Sequence, residues 1–516
     1  MTRIEDARRA LLDVWEPFLL TPYSSYQSRK IIHDSIWGTT RYDPWEAALL
    51  DLGIFQRLRG LKQTGFAYFT YPAAEHSRFQ HTLGVMHAAS KIFDSLVSRP
   101  VEGGISGRGR KASIHKIDVF TDEKDRYRLL LRLAAMVHDT GHSFFSHTSE
   151  RIFALVPPFP DLVNDLTTSG GKRPGPAEIV VYLLVTSDQW TRRATEIWRA
   201  TKAPGPPISN DEWETIGRWV MGQEHRPQHQ FLADIISGPL DADKLDYISR
   251  DAYSAGIPIG YDLERFTAMV CVDPQGDRFR LTIPVKGVNA LEQLVLGRLV
   301  LNSYLYHHQK VRAAEVMFER TLVREFLDPT KRTLVGVTPP WPLFAMQDSD
   351  VYCASKQPGM ETYRAILGRT LPIRVAEFKS SLLANVNTEA VSSEYAALLS
   401  SEATQDIRTY RKLIAMEDEL ADASQRPRGT IFVDVPKPPS YKELQDLQLP
   451  DDATGEAVAP TDLLNYGSWV AAYIAHRSFV RVFASREVAI GDDVWEGVSA
   501  WFADHHLKLP EAARRH

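Results

Sequence analysis

Apolar residues recur at intervals of three and four positions through much of the chain, the spacing that lines one face of an α-helix. The pattern is most sustained over residues 129–137, 177–184, 232–253 and 288–327, and residues 1–20 also show it. Strand-like runs are short and few, the better ones being 279–285 and 430–435. The pattern therefore predicts a mainly α fold, with a helical core and small β accessories.

Turn-forming residues divide this helical pattern. Residues 100–126 contain Gly-Gly and Gly-Arg-Gly-Arg-Lys, and residues 159–176 contain Ser-Gly-Gly between prolines, so both stretches are predicted to be insertions or loops. Beyond about residue 338, clusters of histidine and acidic residues become sparse and proline-rich stretches such as 435–440 appear. We predict a core over residues 1–335 and a C-terminal lobe of mixed α/β structure over residues 336–516.

Composition narrows the class of protein. The 516 residues include 60 basic and 65 acidic side chains, so no overall positive field attracts nucleic acid, and such binding is possible at a local patch but not favoured. The two cysteines lie far apart without CxxC spacing, which is typical of a reducing cytoplasm. Apolar runs are too short to cross a bilayer, so we expect a cytoplasmic protein with no membrane span.

The densest group of polar side chains follows the apolar run at residues 129–137. Residues 133–147 read LAAMVHDTGHSFFSH, with His138, Asp139, His142 and His147 close together. On a helix, His138 and His142 would share a face, and Gly141 would let another backbone segment approach closely. A lone histidine is more often a hydrogen-bonded core residue, but three histidines and an aspartate within ten residues favour a site.

Two further segments carry similar chemistry. In the segment 75–87, Arg78 and then His81 stand at the start of an apolar helical run. In the segment 238–251, Asp243, Tyr247 and Asp251 fall four residues apart, along one stripe of a helix. A salt-bridged exposed helix explains the second segment equally well when it is taken alone.

Together the three segments supply two imidazoles and two carboxylates: His81, His138, Asp139 and Asp243. Mixed nitrogen and oxygen ligands suit a divalent transition metal, namely iron, manganese, nickel or zinc, rather than calcium. Such an ion activates water and neutralises charge on a phosphoryl oxygen, as phosphoester hydrolysis requires. Arg78 and Lys244 are costly to bury unpaired but become useful opposite phosphate.

The order and spacing of five motifs resemble the HD-domain superfamily, and within it the deoxynucleoside triphosphate triphosphohydrolases. The motifs are KIIHDSIWG at 30–38, FQRLRGLKQTG at 55–65, SRFQHTLG at 77–84, HDTGHSFFSH at 138–147 and DADKLDYISRD at 241–251. The resemblance covers about residues 25–325 and is faint beyond. It implies an HD-domain helical core and metal-dependent hydrolysis of deoxynucleoside triphosphates to deoxynucleoside and triphosphate.

The resemblance also implies roles for particular residues. The metal ligands would be the four residues named above, and magnesium would accompany the nucleotide. Residues implied to line the reaction path are His142, His147 and Glu150, with His147 as the leaving-group acid. Five residues are implied to contact the substrate. Arg78 and Lys244 would contact the triphosphate, and the deoxyribose would be contacted by Gln63, Tyr247 and Asp251.

The same resemblance implies regulation by a nucleotide activator bound between subunits of a homo-oligomer, which could be a dimer, tetramer or hexamer. The residues that fall where such a pocket is built are Lys30, Asp51, Gln56, Arg59 and Arg265. Surface or interface ion pairs explain these residues about as well. Nucleotide-pool control and defence against phage are both roles open to a protein of this class.

Three positions depart from the family pattern. Ala177 precedes Glu178 where the family has a His-Glu pair, Glu150 replaces an aspartate, and Thr64 replaces a larger apolar residue that faces the sugar. These departures bear on a second metal site, on the acid step and on sugar selection. They leave the four expected metal ligands in place.

Two other classes of function stay open on the sequence. An HD nuclease or phosphodiesterase acting on oligonucleotides needs a basic groove, which the net charge disfavours. A catalytically weak nucleotide-binding scaffold is compatible with the alanine at position 177. Product analysis after incubation with deoxynucleotides and divalent metals separates the three classes.

Overall fold

A computed structural model describes most of the chain and confirms the mainly α class. The described residues are 2–98, 118–120, 123–168, 171–328, 334, 340–379, 395, 398–399, 406–437, 441–445, 447–451, 454, 456–477, 479–486, 488, 491–505, 507, 509 and 513–514. Residues 101–117, the larger part of the insertion predicted at 100–126, lie outside this set. None of the described helices combines the length and apolar character needed to cross a membrane.

The helices of the first half carry or surround the motifs found in the sequence. In chain order they are α1 Arg3–Leu19, α2 Pro44–Leu50, α3 Gly53–Gln56, α4 Arg78–Ser98, α5 Lys124–Val137, α6 His147–Phe153, α7 Phe159–Leu166, α8 Pro176–Val185, α9 Asp188–Ala200, α10 Asn210–Val220, α11 Gln230–Ser237, α12 Ala242–Ala255 and α13 Leu263–Met269.

The second half is also helical. Its helices are α14 Val288–Leu301, α15 Gln309–Leu327, α16 Trp341–Ala345, α17 Asp348–Ala354, α18 Glu361–Leu367, α19 Ile407–Ala423, α20 Lys442–Gln445, α21 Pro460–Leu463, α22 Tyr466–Arg477 and α23 Asp492–Asp504.

The strands form small antiparallel sheets. They are β1 Lys30–Asp34, β2 Gly38–Tyr42, β3 Cys271–Gln275, β4 Arg278–Thr282, β5 Ile373–Lys379, β6 Ile431–Asp434, β7 Leu449–Pro450, β8 Ala457–Val458 and β9 Phe479–Ala484. Three sheets are hairpins of neighbouring strands, and the fourth has the order β5-β9-β6. The strands β4 and β6 lie almost wholly within the runs that predicted them.

Helix α4 lies at the centre of the motif-bearing helices and packs against both α5 and α12. Helix α4 is buried on almost every side, because it carries small and apolar residues such as Val85, Met86, Ala88 and Ala89 through its middle turns. A helix that is apolar all round belongs inside a protein rather than at its surface. The three helices therefore give the polar side chains at their ends a rigid support.

Two predicted helices are each divided in the structure. The run at 232–253 breaks between α11 and α12, because Gly238-Pro239 cannot continue a helix and the Asp241 side chain caps the next one by accepting from the Lys244 backbone N–H. The run at 288–327 breaks at a π-helical turn over Asn302–Tyr306, after which His308 caps α15. Wide turns of this kind are often found at functional sites.

The second predicted insertion or loop, residues 159–176, is partly helical in the structure. Its first half is the amphipathic helix α7, which buries Phe159, Leu162 and Leu166. The apolar spacing is present in the sequence, but the surrounding glycines and prolines hide it. Residues 171–175, just before α8, have no regular secondary structure, and Lys172 and Gly175 among them line the site described below.

The buried apolar residues fall into two groups. One is the large helical core, which also includes Trp341, Phe344 and Tyr363 from α16 and α18. The other joins the sheet β5-β9-β6 to α19 and α23 and is centred on Val433, Val482 and Phe502. The mixed α/β character expected of the C-terminal lobe is present in this second group. A boundary at residue 335 stays a prediction, since helices beyond it contribute to the first core.

Candidate active site

His81 is completely buried on the first turns of α4, and its ring is fixed from behind. Its Nδ1 atom lies 2.7 Å from Asp246 Oδ2, so the ring donates there. Asp246 is held in turn by Arg250 and by the indole of Trp37. This carboxylate fixes the imidazole with Nε2 facing the site, which is the usual arrangement behind a metal-binding histidine.

His138 follows the last residue of α5 and faces His81. The helix ends at Val137, so the expectation that His138 and His142 share a helical face is wrong. Instead a turn brings Asp139 Oδ1 to 3.3 Å from His138 Nε2 and 3.1 Å from His142 Nε2. His138 donates from Nδ1 to the Ala135 carbonyl at 2.7 Å. The carboxylate therefore lies between both rings.

The close backbone approach expected at Gly141 is present. A Cβ atom there would lie 2.0 Å from the carbonyl oxygen of Ala177. No side chain can be accommodated at that distance. Gly141 therefore allows the turn after α5 to contact the first turn of α8.

Asp243 comes from the first turn of α12 and completes the group. Its Oδ1 lies 2.9 Å from His81 Nε2, and His81 Nε2 lies 3.4 Å from His138 Nε2. Since both rings use Nδ1 as a donor elsewhere, both Nε2 lone pairs point at one another and at two carboxylates. Such a set of donors lacks a positive charge at its centre, so these four residues fit a divalent cation.

The ionisation of these groups reflects that shortage of positive charge. Burial alone would lower the pKa of His81, but hydrogen bonds to Asp243 and Asp246 raise it to about 10. Burial lowers the pKa of His138. Burial would raise the pKa of Asp139, yet the Arg78 guanidinium and the neighbouring imidazoles hold it well below its usual range. A proton on His81 therefore occupies the place that a metal ion would take.

A second cluster lies beside the first: His142, His147 and Glu150 have ligand atoms within 4.8 Å of one another. Glu150 accepts from His142 Nδ1, and its other oxygen lies 3.4 Å from His147 Nδ1. Burial would raise the pKa of Glu150, but the His142 and His147 rings hold it well below its usual range. The side chain of His147 is 69% exposed, so it can reach a bound molecule.

The loop that carries His147 is strained. Phe145 and Ser146 both have positive φ angles, 50° and 55°, although neither is glycine. Such conformations cost about 1–3 kcal/mol each and persist where the surrounding structure enforces them. Here Phe145 is stacked on Phe66 with ring centroids 4.4 Å apart, and Ser146 Oγ donates to the Lys62 carbonyl. Packing therefore holds His147 at the rim of the site.

Arg78 is a buried guanidinium with unused hydrogen-bonding capacity. Its Nη1 donates to Asp139 Oδ2 at 2.8 Å and its Nε donates to Ser146 Oγ at 3.0 Å. Its Nη2 is buried and has no hydrogen-bond partner. Because an unpaired buried donor is costly, this atom suits an anionic ligand.

The two clusters lie where two lobes of a cavity meet. The first lobe, of about 400 Å³, extends towards Lys172, Ala177, Glu178, Asp241 and Lys244. The second lobe, of about 360 Å³, extends towards Gln63, Arg78, Tyr247, Asp251 and Tyr306. Residues that line both lobes are Asp139, His142, His147, Arg151 and Asp243.

The stripe predicted on α12 enters this cavity. Asp243, Tyr247 and Asp251 all line the second lobe. Asp251 Oδ1 lies 2.7 Å from His76 Nε2, and its Oδ2 accepts from the Tyr306 hydroxyl at 2.6 Å. Burial raises the pKa of Tyr247 above its usual range, so the phenol is neutral. Lys244 lies in the first lobe and donates to Asp241 at 2.6 Å.

Four of the five residues expected in a regulatory pocket lie close to one another in pairs. Lys30 Nζ is 3.8 Å from Asp51 Oδ1, and Arg59 donates from Nε to Gln56 Oε1 at 2.8 Å while lying over the Phe79 ring. Arg265 is exposed on α13, where its backbone N–H is capped by Asp262. These five residues lie outside the two-lobed cavity.

Sequence reasoning missed several residues of the cavity wall. Arg298, Asn302, Tyr306, Arg312 and Glu315 come from the π-helical turn and its flanking helices. No motif marks them, because α14 and α15 contact the site only through tertiary packing. Arg151 was detectable in principle, since it follows His147 by four residues on α6 and so shares its face.

These features define a fold and a site: a helical core in which His81, His138, Asp139 and Asp243 meet at a metal-type centre, with Asp139 and Asp243 lining both lobes of the cavity. A family model described as the HD associated region matches residues 262–452. This match crosses residue 335, where the sequence predicted a boundary.

Similarity to known proteins agrees with this class. The chain is 30% identical to an uncharacterized protein of Bacillus subtilis over 271 residues, which cover 52% of this chain and 49% of that protein. It is 29% identical to the deoxynucleoside triphosphate triphosphohydrolase SAMHD1 homolog of Dictyostelium discoideum over 302 residues, covering 58% and 49%. Its identity to the human deoxynucleoside triphosphate triphosphohydrolase SAMHD1 is 28% over 298 residues, covering 54% and 42%. It spans about half the length or less of these curated relatives.

A solved structure shares the fold. The crystal structure of a hypothetical protein from Aquifex aeolicus matches with a TM-score of 0.59 at 20% identity, covering 91% of this chain and all of that one. By its HD associated region and by these relatives, the chain resembles the HD-domain superfamily and, within it, the deoxynucleoside triphosphate triphosphohydrolases.

Proposed function

We propose that this chain hydrolyses deoxynucleoside triphosphates to deoxynucleoside and triphosphate, with a divalent metal held by His81, His138, Asp139 and Asp243. The observation that carries the proposal is the convergence of two imidazole lone pairs and two carboxylates at the junction of two cavity lobes. A bound divalent transition metal supplies positive charge for a phosphoryl oxygen and lowers the pKa of water there.

A nucleotide spanning both lobes would have its α-phosphorus at this junction. The nucleoside would occupy the second lobe and the remaining phosphates would extend into the first. Water forms a bond to the α-phosphorus while the bond from phosphorus to O5′ breaks. The departing O5′ takes up a proton, and the other water proton remains with the triphosphate or passes to solvent.

His147 is the side chain that we assign to protonate O5′. It is exposed to the cavity, and Glu150 Oε2 lies beside its Nδ1 atom and holds the imidazole in place. General acids of this kind contribute on the order of 10²–10⁴-fold to rate. Glu150 also supports His142, which lies against the metal ligand Asp139.

Arg78 and Lys244 are the cations that we assign to the phosphates. Arg78 donates to Asp139 from Nη1 and has its Nη2 unpaired, while Lys244 lies in the first lobe. In the second lobe, Gln63 has a buried side-chain oxygen without a partner, which suits a hydroxyl donor on the ligand. Tyr247 and Asp251 would pack against the deoxyribose, where a 2′-hydroxyl would have to displace the ring.

The test is product chromatography after incubation with each deoxynucleoside triphosphate and with ATP, in the presence of Mn²⁺, Mg²⁺ or Co²⁺. We expect deoxynucleoside and triphosphate in equal amounts, with ATP resistant. His147→Gln should abolish turnover while retaining the metal. Stepwise release of phosphate would indicate a phosphatase, and cleavage of single-stranded DNA would favour a nuclease. Nucleotide binding without any product would favour the scaffold.

A further inference from the structure

Lys172 is held in a defined position on the wall of the first lobe. Its carbonyl accepts from the side chain of the buried Gln223 at 3.3 Å. Its side chain passes over Gly222, where a Cβ would lie 3.3 Å from the lysine Cδ. The ammonium then donates to Ser237 Oγ at 2.8 Å and to Glu178 Oε1 at 3.2 Å. Three separate segments therefore fix where this charge lies.

The same wall lacks a polar group where Ala177 stands. Ala177 lines the first lobe with only a methyl group, and its carbonyl lies against Gly141. Lys172 lines that lobe too, with its side chain half exposed. The second amine in the lobe is that of Lys244, which hydrogen-bonds to Asp241 at 2.6 Å. An anion in the first lobe would therefore meet two ammonium groups.

Glu178 does not depend on Lys172 for its position. Its other oxygen, Oε2, accepts from the Gly175 backbone N–H at 2.6 Å and caps the first turn of α8. A carboxylate at a helix N-terminus is stabilised there by the helix dipole. The lysine can consequently turn from Glu178 to a ligand without leaving that carboxylate unsatisfied.

We propose that Lys172 binds the terminal phosphate of the substrate and so serves as a substrate-contact residue on the wall that Ala177 leaves apolar. The inference rests on the proposed function, because it takes the polyphosphate to extend into the first lobe. A fully ionised terminal phosphate carries more negative charge than either inner phosphate of a nucleotide and requires cationic donors when it leaves water. Lys172 meets this need with an ammonium that faces the lobe.

Inorganic triphosphate is the direct probe, measured by titration calorimetry on the full chain with Mg²⁺ present. We expect Lys172→Gln to weaken its Kd about tenfold, as loss of one charge-assisted contact does, and Lys172→Arg to restore most of the affinity. The KM for a deoxynucleoside triphosphate should rise by a similar factor with kcat little changed. Arg173→Gln is the matched control, because Arg173 is adjacent and exposed, outside the cavity lining, and bonds to Asn164.

A double-mutant cycle separates ligand binding from mere neutralisation of Glu178. If Lys172 contacts phosphate, Lys172→Gln must also weaken triphosphate binding in a Glu178→Gln background. If it has no effect there, Lys172 only balances Glu178 and the inference is overturned. An unchanged Kd in the single variant overturns it as well. If the wild-type protein itself neither binds triphosphate nor hydrolyses nucleotides, the proposed function fails. If the wild type does both and Lys172→Gln changes neither, only the inference about Lys172 fails.

Discussion

Asp139 connects more of the site than any other side chain described here. One oxygen accepts from Arg78, and the other lies between His138 and His142. A change at this residue therefore alters the metal centre and the position of the phosphate-facing arginine together.

We predict that Asp139→Asn reduces metal occupancy to about one-tenth or less, because a neutral amide loses the charge that a divalent ion requires. Elemental analysis of the folded protein measures this. Glu417→Gln is a suitable control, since Glu417 is a completely buried carboxylate paired with Arg320 near the C-terminal sheet. It should lower stability but keep the metal. Full occupancy in Asp139→Asn would rule out this centre.

At the scale of elements, the site depends on close contact between the turn after α5 and the first turn of α8. Both sides of that contact are backbone, so neither can move aside as a flexible side chain does. The helices themselves are fixed by burial in the large core.

Gly141→Ala is expected to destabilise the protein by about 2–4 kcal/mol, the range of severe packing clashes. It should also reduce metal affinity, because the turn carries His138 and Asp139. Thermal unfolding and metal analysis test both effects. Gly175→Ala, at the start of the same helix, is the matched control: its Cβ would meet only Glu178 Oε2, at 3.7 Å. A Gly141→Ala protein as stable as this control would contradict the packing argument.

The π-helical turn is followed by a partly buried histidine between the core and α22. His307 Nδ1 lies 2.8 Å from the Tyr473 hydroxyl. Burial, together with the charges of Arg312, Arg481 and Arg151, lowers its pKa to about 3, against the opposing effect of Asp434. The ring is therefore neutral in the folded protein at any pH near neutrality.

This histidine predicts acid lability. Between pH 6.5 and about 3 the unfolded chain binds a proton here that the folded chain does not, so the free energy of unfolding falls as pH falls through that window. The neutral ring's contribution to the free energy of unfolding is fully present above pH 6.5 and is lost below it by at most about 1.4 kcal/mol per pH unit. Denaturant unfolding at pH 7 and pH 5 should show a smaller loss for His307→Gln than for the wild type. Equal losses would show that His307 does not carry this dependence.

At the scale of the whole molecule, the five residues expected to bind an activator are at least partly exposed and away from the cavity. Lys30, Asp51 and Gln56 are partly exposed, and Arg59 and Arg265 are exposed. This arrangement leaves them accessible to a ligand and to a second copy of the chain.

We predict that nucleotides increase the mass of the particle, since an anion bound by Lys30, Arg59 and Arg265 would neutralise charges that otherwise repel between subunits. Light scattering with and without nucleotide measures the mass. Arg59→Glu should abolish the increase, whereas Arg192→Glu on the exposed face of α9 should retain it. A mass that no nucleotide changes would remove ligand-driven assembly while leaving activity possible.

The sequence by itself determined what is local. The helical spacing identified α1, α5 and α8, and the four-residue interval placed Asp243, Tyr247 and Asp251 on one face of α12, because a helix repeats over a few residues whatever surrounds it. The residue types within the motifs indicated metal and phosphate chemistry, because each motif is a short run of neighbouring residues. The same apolar spacing did not reveal the breaks before α12 and α15, because it continues through both of them.

Only the tertiary structure decided which atoms meet. His81 and His138 are 57 residues apart, yet their Nε2 atoms face one another, and the contact between His81 and Asp246, 165 residues apart, fixes the direction of the His81 imidazole. Lys172 has no motif at all, and its relation to Ser237 depends on how α8, α11 and the preceding segment pack. Distances between residues far apart in the chain come from burial of whole helices, which no short pattern encodes. The chemistry was therefore readable from the sequence, and the geometry that makes it a site was not.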